Sequence, residues 1–222
     1  MNLPLLYWAS EEIGDDRFKR IAMAHADTAI RTHLRSDGSV AHIVEHNREN
    51  GDIVKTYGGQ GYGEGSAWSR GQAWAIYGFI LSYLHTGEEG YLGASRLAAD
   101  YFVKNCFADM TVPVDFKAPS EPHIIDNSAA ACAACGLIEL AKALPEDEGG
   151  EYMSAATSLL RVIDEKYANY DYDTDYLVSH GTVRYPIDGD FEKAEVHVPI
   201  IYSDYFFTEA ILKLLGSEFN PW

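Results

Sequence analysis

The sequence predicts an all-α protein built of helical hairpins, and three observations carry that prediction. Apolar residues recur at helical spacing through seven segments. Pairs of these segments are divided by tight polar breaks and followed by long stretches of strand or loop character. A unit of helix, turn, helix and loop therefore returns about every 60 residues, within the range of helical-hairpin arrays. Faces rich in small residues, such as Ser128 to Gly136, allow neighbouring helices to approach closely. Hairpins of this kind either stack into a solenoid or close into an α/α toroid.

The helices are expected at 2–13, 16–35, 66–86, 88–106, 127–144, 150–168 and 204–216. Gly14-Asp15-Asp16 ends the first, and Thr86-Gly87-Glu88-Glu89 divides the third from the fourth. Ser66 is the expected N-cap of the third helix, since its hydroxyl can accept an orphan N–H of the first turn. Asp126 or Asn127 is expected to cap the fifth, Pro145 to Gly150 to divide the fifth from the sixth, and Asp204 to start the last. The long connections, 37–65, 107–125 and 169–203, contain β-prone pieces at 40–44, 111–116 and 196–200. Seven helices make three and a half hairpins, and the first is strongly apolar from Met1 onward. The reading is of a chain that begins in the middle of a fold.

The 222 residues suffice for one sizeable domain or part of a larger one. A formal net charge of −17 and a pI near 4.7 argue against nucleic acid or an anionic membrane as a partner. No apolar stretch reaches the length of a membrane span. Cys106, Cys132 and Cys135 are too few and odd in number for a disulfide scaffold, which points to a reducing, cytoplasmic setting. Met1 to Leu6 carries no basic leader region. Cys132-x-x-Cys135 has a metal or redox spacing, but it lies in an apolar run with no second pair and reads as core. No metal or cofactor is expected.

The run Ser66 to Phe79, after the glycine-rich loop Gly58 to Gly65, is the most informative stretch. Arg70 and Trp74 are spaced i, i+4 and share a helix face. A cation near a helix N-terminus opposes the helix dipole, and a bound anion there resolves the conflict. A guanidinium fork beside aromatic rings suits an acidic sugar, with its carboxylate on Arg70 and its ring on Trp74. The plainer alternative is an amphipathic helix with tryptophan in the core and Arg70 reaching to solvent. Fifteen tyrosines and four tryptophans suit either reading. The global negative charge repels an acidic sugar, so any such site must be a local positive island.

Asn2-Leu3-Pro4-Leu5-Leu6-Tyr7-Trp8-Ala9, Gln60-Gly61-Tyr62, Trp68 to Phe79, Glu121-Pro122, Asp126 to Ala131 and Asp204 to Ala210 follow one another in order. In that order and spacing they resemble the unsaturated glucuronyl hydrolases, glycoside hydrolase family 88. The resemblance implies an (α/α)6 toroid, of which residues 1–222 are the C-terminal portion of a single barrel domain. It implies removal of a terminal 4,5-unsaturated uronic acid from oligosaccharides made by polysaccharide lyases. A carboxylic acid protonates C4, water adds at C5, and the hemiketal opens, with no metal and no nucleophile. The nearest alternatives are an unsaturated rhamnogalacturonyl hydrolase and a non-catalytic sugar-binding or structural remnant.

Carried over position by position, the resemblance puts His42, Gln60, Trp68, Arg70 and Trp74 on the sugar pocket. Gly59 stands where many members have histidine. The family's two essential aspartates precede the Asn2–Leu6 motif, so no catalytic residue is assigned here and the chain alone is expected to be poorly active. Asp126 reads as a cap, and Asp115 as a weak catalytic candidate beside a structural role. The exposed helix faces of a partial toroid predict a homo-oligomer whose partners cover the open edge.

Overall fold

A computed structural model describes residues 1–217 and 222. Among these residues seven helices run in chain order: α1 Pro4–Ile13, α2 Arg17–Thr32, α3 Ser69–Thr86, α4 Glu89–Asn105, α5 Asn127–Ala143, α6 Glu146–Lys166 and α7 Ile201–Leu214. One two-stranded antiparallel hairpin, β1 Ile43–His46 with β2 Ile53–Tyr57, interrupts them. The chemistry of the breaks explains the boundaries. Pro4 opens α1 where its missing N–H is not needed. Gly14 and Gly87 close α1 and α3 in the left-handed conformation, at φ +66° and +72°.

The helices pack as hairpins, α1 on α2, α3 on α4 and α5 on α6. An inner row runs α3, α5, α7, with α1 joining at α3. Every residue of α5 except Glu139, Lys142 and Ala143 is buried. Its alanines are what permit this. At Gly136 a Cβ would lie 2.9 Å from Ile76 Cγ2 and from the Tyr77 backbone, so α3 and α5 cross there at closest approach. Cys132 and Cys135 sit in this core. Burial pushes both thiols well up, which disfavours the thiolate form. The inner row is closed by a polar cluster: the buried Glu209 of α7 accepts from the Tyr77 hydroxyl and from Trp222 Nε1 at 2.8 Å, and Lys213 reaches Glu139 at 2.9 Å.

Three helix starts differ from expectation, each for a tertiary reason. Ser66 caps nothing; α3 begins at Ser69, with Trp68 in the cap position. Its first turn is instead held by the segment after α4, where both the amide and the hydroxyl of Ser69 donate to Val114 O at 3.1 Å. Helix α6 starts at Glu146, not 150: Glu146, Asp147 and Glu148 favour the dipole's positive end, and Gly149 lets that turn lie against Ala141 O. Helix α7 starts at Ile201, and the Asp204 carboxylate serves the Leu177 and Val178 amides instead, at 3.1 and 2.8 Å. Of the β-prone pieces, 40–44 contributes the start of β1, while 111–116 and 196–200 form only isolated bridges. Among the described residues, no helix is long and apolar enough to cross a membrane.

Candidate functional site

The site is assembled where three connections meet the N-terminal ends of α3 and α5. The glycine-rich loop is held by Asp115, which is buried and accepts from the amides of Tyr62 (3.0 Å), Ala67 (3.1 Å) and Lys117 (2.9 Å). These three backbone donors tie the Asp115 carboxylate to the loop it holds. Gly61 packs against this carboxylate with no room for a Cβ. Gly59, at φ +59°, lies under His42, and a Cβ there would run into the imidazole.

His42, Trp68 and Trp74 form one aromatic stack. The His42 and Trp68 ring centres are 4.3 Å apart and the Trp68 and Trp74 centres 5.3 Å apart, the latter pair edge to face. Gln60 holds both the stack and its neighbour. Its amide N–H donates to His42 Nδ1 at 3.1 Å, and its side chain donates to Val183 O at 2.7 Å. Burial, reinforced by the nearby Arg70, keeps the His42 imidazole below its usual range despite its contact with Gly58 O. It is therefore neutral at pH 7, with Nδ1 between the Gln60 amide and Gly58 O.

Arg70 does not reach solvent; it is 3% exposed. Its Nε and Nη2 donate to Asp126 Oδ2 at 3.2 and 2.9 Å, and Nη2 also reaches Thr182 O at 2.5 Å. Its guanidinium lies over Trp68 at 4.9 Å. The other oxygen of Asp126 caps α5 through the Ser128 amide (3.1 Å) and hydroxyl (2.7 Å), and accepts from the Thr182 amide at 3.2 Å. The anion that settles the dipole conflict at the start of α3 is thus a side chain of the protein itself.

Beside the stack is a cavity of about 430 Å³ lined by His25, His33, His42, Trp74, Phe79 and Ser82, among others. Two roomier hollows, about 680 and 630 Å³, flank α6 on the outside and contain none of the five predicted residues. Of those five, His42 and Trp74 line the 430 Å³ cavity. Trp68 and Arg70 are buried behind them, and Gln60 braces His42. Sequence reasoning missed the Arg70–Asp126 pair, Thr182, His25 and His33. His25 lies in α2 and His33 is its C-cap residue, so one helix brings both to the cavity.

No family model matches the chain. An unsaturated glucuronyl hydrolase of Bacillus sp. (strain GL1) is 35% identical over 226 residues, an alignment covering 100% of this chain. The chain is homologous to the unsaturated glucuronyl hydrolases. It spans 59% of that relative's length. The crystal structure of the unsaturated glucuronyl hydrolase from Bacillus sp. GL1 matches 96% of this chain with a TM-score of 0.89 at 35% identity, over 56% of the solved chain. A Streptococcus agalactiae unsaturated glucuronyl hydrolase mutant, solved in complex with dGlcA-GalNAc6S, matches 96% of this chain at 30% identity and a TM-score of 0.83, over 56% of its own. The paired helices of an α/α toroid, expected from the sequence, are the architecture this chain shares with those enzymes.

Proposed function

We propose that this chain is the sugar-holding share of a glycoside hydrolase acting on a terminal 4,5-unsaturated uronic acid of an oligosaccharide. Residues 1–222 form one portion of a single toroidal domain in this reading. The observation that carries it is the His42–Trp68–Trp74 stack, backed by a buried Arg70 and opening on a cavity, in a homologue of enzymes solved with dGlcA-containing sugars. His42 and Trp74 touch the sugar. Trp68, Arg70 and Gln60 act behind them, setting the angle of the stack.

The reaction needs a carboxyl that gives a proton to C4 and then takes one from water, a role worth about 10²–10⁴ in rate. Asp115 and Asp126 are unsuited to it, since backbone amides hold one and the other is bound to Arg70. Turnover by this chain alone is therefore expected to be slight, while binding is retained. Loss of the double bond's ultraviolet absorbance on incubation with an unsaturated uronyl disaccharide measures the first, and calorimetry the second. Turnover matching a full-length relative would overturn the assignment of roles, and absence of binding would overturn the reading as a whole.

The apolar side chains Leu5 and Trp8 of α1 and Ile201 and Tyr202 of α7 are half or more exposed. They support self-association that covers these faces. A single monomeric species in light scattering would contradict it. The unpaired Cys106, Cys132 and Cys135 fit a cytoplasmic setting.

A further inference from the structure

In a chain with 34 acidic residues and eight histidines, the cavity beside Trp74 is lined by three histidines, and among its described lining residues there is no carboxylate side chain. Arg70 is not part of that lining, and its Nε and Nη2 donors are spent on Asp126 and Thr182. The cation the sequence offers for an acidic sugar is thus already paired, and the titratable groups lining the space are three imidazoles and the Met1 amine.

The hydrogen bonds constrain what two of the imidazoles, His33 and His42, present. Thr32 spends its hydroxyl hydrogen on Thr28 O at 2.7 Å. Its oxygen, 2.9 Å from His33 Nδ1, must then accept from that nitrogen. Neutral His33 is therefore left with a bare lone pair on Nε2, which repels a carboxylate. His42 Nδ1 faces both the Gln60 amide, a donor at 3.1 Å, and Gly58 O, an acceptor at 3.2 Å; in the tautomer that accepts from Gln60, Nε2 carries the hydrogen. His25 makes no hydrogen bond among the described residues. In that tautomer the His42 ring is ready to donate, and the His33 ring donates only after taking a proton.

We propose that a sugar carboxylate enters this cavity between His33 and His42 and that its binding takes up one proton, at His33 Nε2. The proposal rests on the uronic-acid reading above and names the groups that hold the acid. No bond is made or broken beyond the N–H at Nε2, whose proton comes from solvent. The surroundings favour this. Burial and the neighbouring His46, His25 and His42 hold empty His33 below the usual imidazole range, so the free protein is neutral there at pH 7. A buried carboxylate at contact distance reverses the balance. Facing this region from the other elements are the Met1 amine of the α1 end, itself lowered by burial, Arg70 of α3, and Asp115 of the 107–126 segment. None of these contributes a second carboxylate to the cavity.

Calorimetry with an unsaturated glucuronyl disaccharide, run at pH 5.5 to 7.5 in two buffers of different ionisation heat, counts the protons. Wild type is expected to take up close to one proton at pH 7, with affinity rising up to tenfold per unit as pH falls, the limit for one linked proton. His33→Gln is expected to take up none and to lose the slope, while His123→Gln, outside the cavity, keeps both. The imidazole resonance of His33, followed by NMR against pH, is expected to move to higher pKa when ligand is present, which a merely structural role would not produce. Binding of the disaccharide without proton uptake, or uptake that survives in His33→Gln, overturns the proposal and leaves the sugar reading standing. Proton-linked binding of plain glucuronate, with none of the unsaturated sugar, supports the cavity and overturns the substrate. No binding of either acid at pH 5.5 overturns both.

Discussion

Replacing Asp126 by alanine removes four interactions at once. Arg70 loses its counter-ion, α5 loses its cap, and the Ser128 hydroxyl and Thr182 amide lose their acceptor. The ion pair dominates, because Arg70 stays charged, with side-chain exposures of 4% and 0% on its two members. Stranding one partner of such a pair costs about 3–5 kcal/mol, and the lost cap adds about 1 kcal/mol. Against a total stability of about 5–15 kcal/mol, the variant sits at the edge of folding. With a urea slope of about 2 kcal/mol/M, the unfolding midpoint is expected to fall by about 2–3 M. Urea titration followed by far-ultraviolet circular dichroism measures it. The double variant Asp126→Ala with Arg70→Met separates charge from packing, since it removes the stranded cation. It is expected to recover at least half of the loss. A single-variant loss under about 1 kcal/mol, or strict additivity of Arg70→Met and Asp126→Ala, would refute the view that the pair holds a desolvated charge.

Gly136→Ala places a methyl against the Tyr77 backbone and is expected to cost about 1–3 kcal/mol, read as a lower melting temperature. Trp68→Ala should cost about 3–5 kcal/mol of stability because the ring is fully buried. Trp74→Ala, at the cavity wall, should instead show its larger effect in sugar affinity, and calorimetry beside thermal melts separates the two. Hydrogen bonds from Thr111, then the Lys166 ammonium, hold the Asp109 carboxyl down to about 2. Its contribution is therefore complete above the ordinary carboxylate value near 4 and disappears as pH falls through about 2. Wild type and Asp109→Asn should differ in urea midpoint at pH 6 and converge near pH 2.

What was legible in the sequence was local. Periodicity and glycine breaks located the helices, because Gly14 and Gly87 end them by backbone conformation alone. The start of α3 was misplaced because its first turn is satisfied by Val114, forty-five residues away from Ser69. Asp204 looked like a cap for the same reason in reverse: its carboxylate has the right chemistry for amides, but those amides belong to Leu177 and Val178. At the site, the i, i+4 spacing of Arg70 and Trp74 was visible, and the partner of Arg70 was not. Asp126 lies 56 residues on and had a sufficient local role as the cap of α5. A side chain with one evident task concealed a second.

Gly59 beneath His42 has a consequence for how this chain can vary. The imidazole occupies the volume that any side chain at 59 would need, and the backbone there is left-handed. Positions 42 and 59 therefore draw on a single allowance of space. A library randomised at both should return them as an inverse pair, with a ring at one position and the smallest residue at the other.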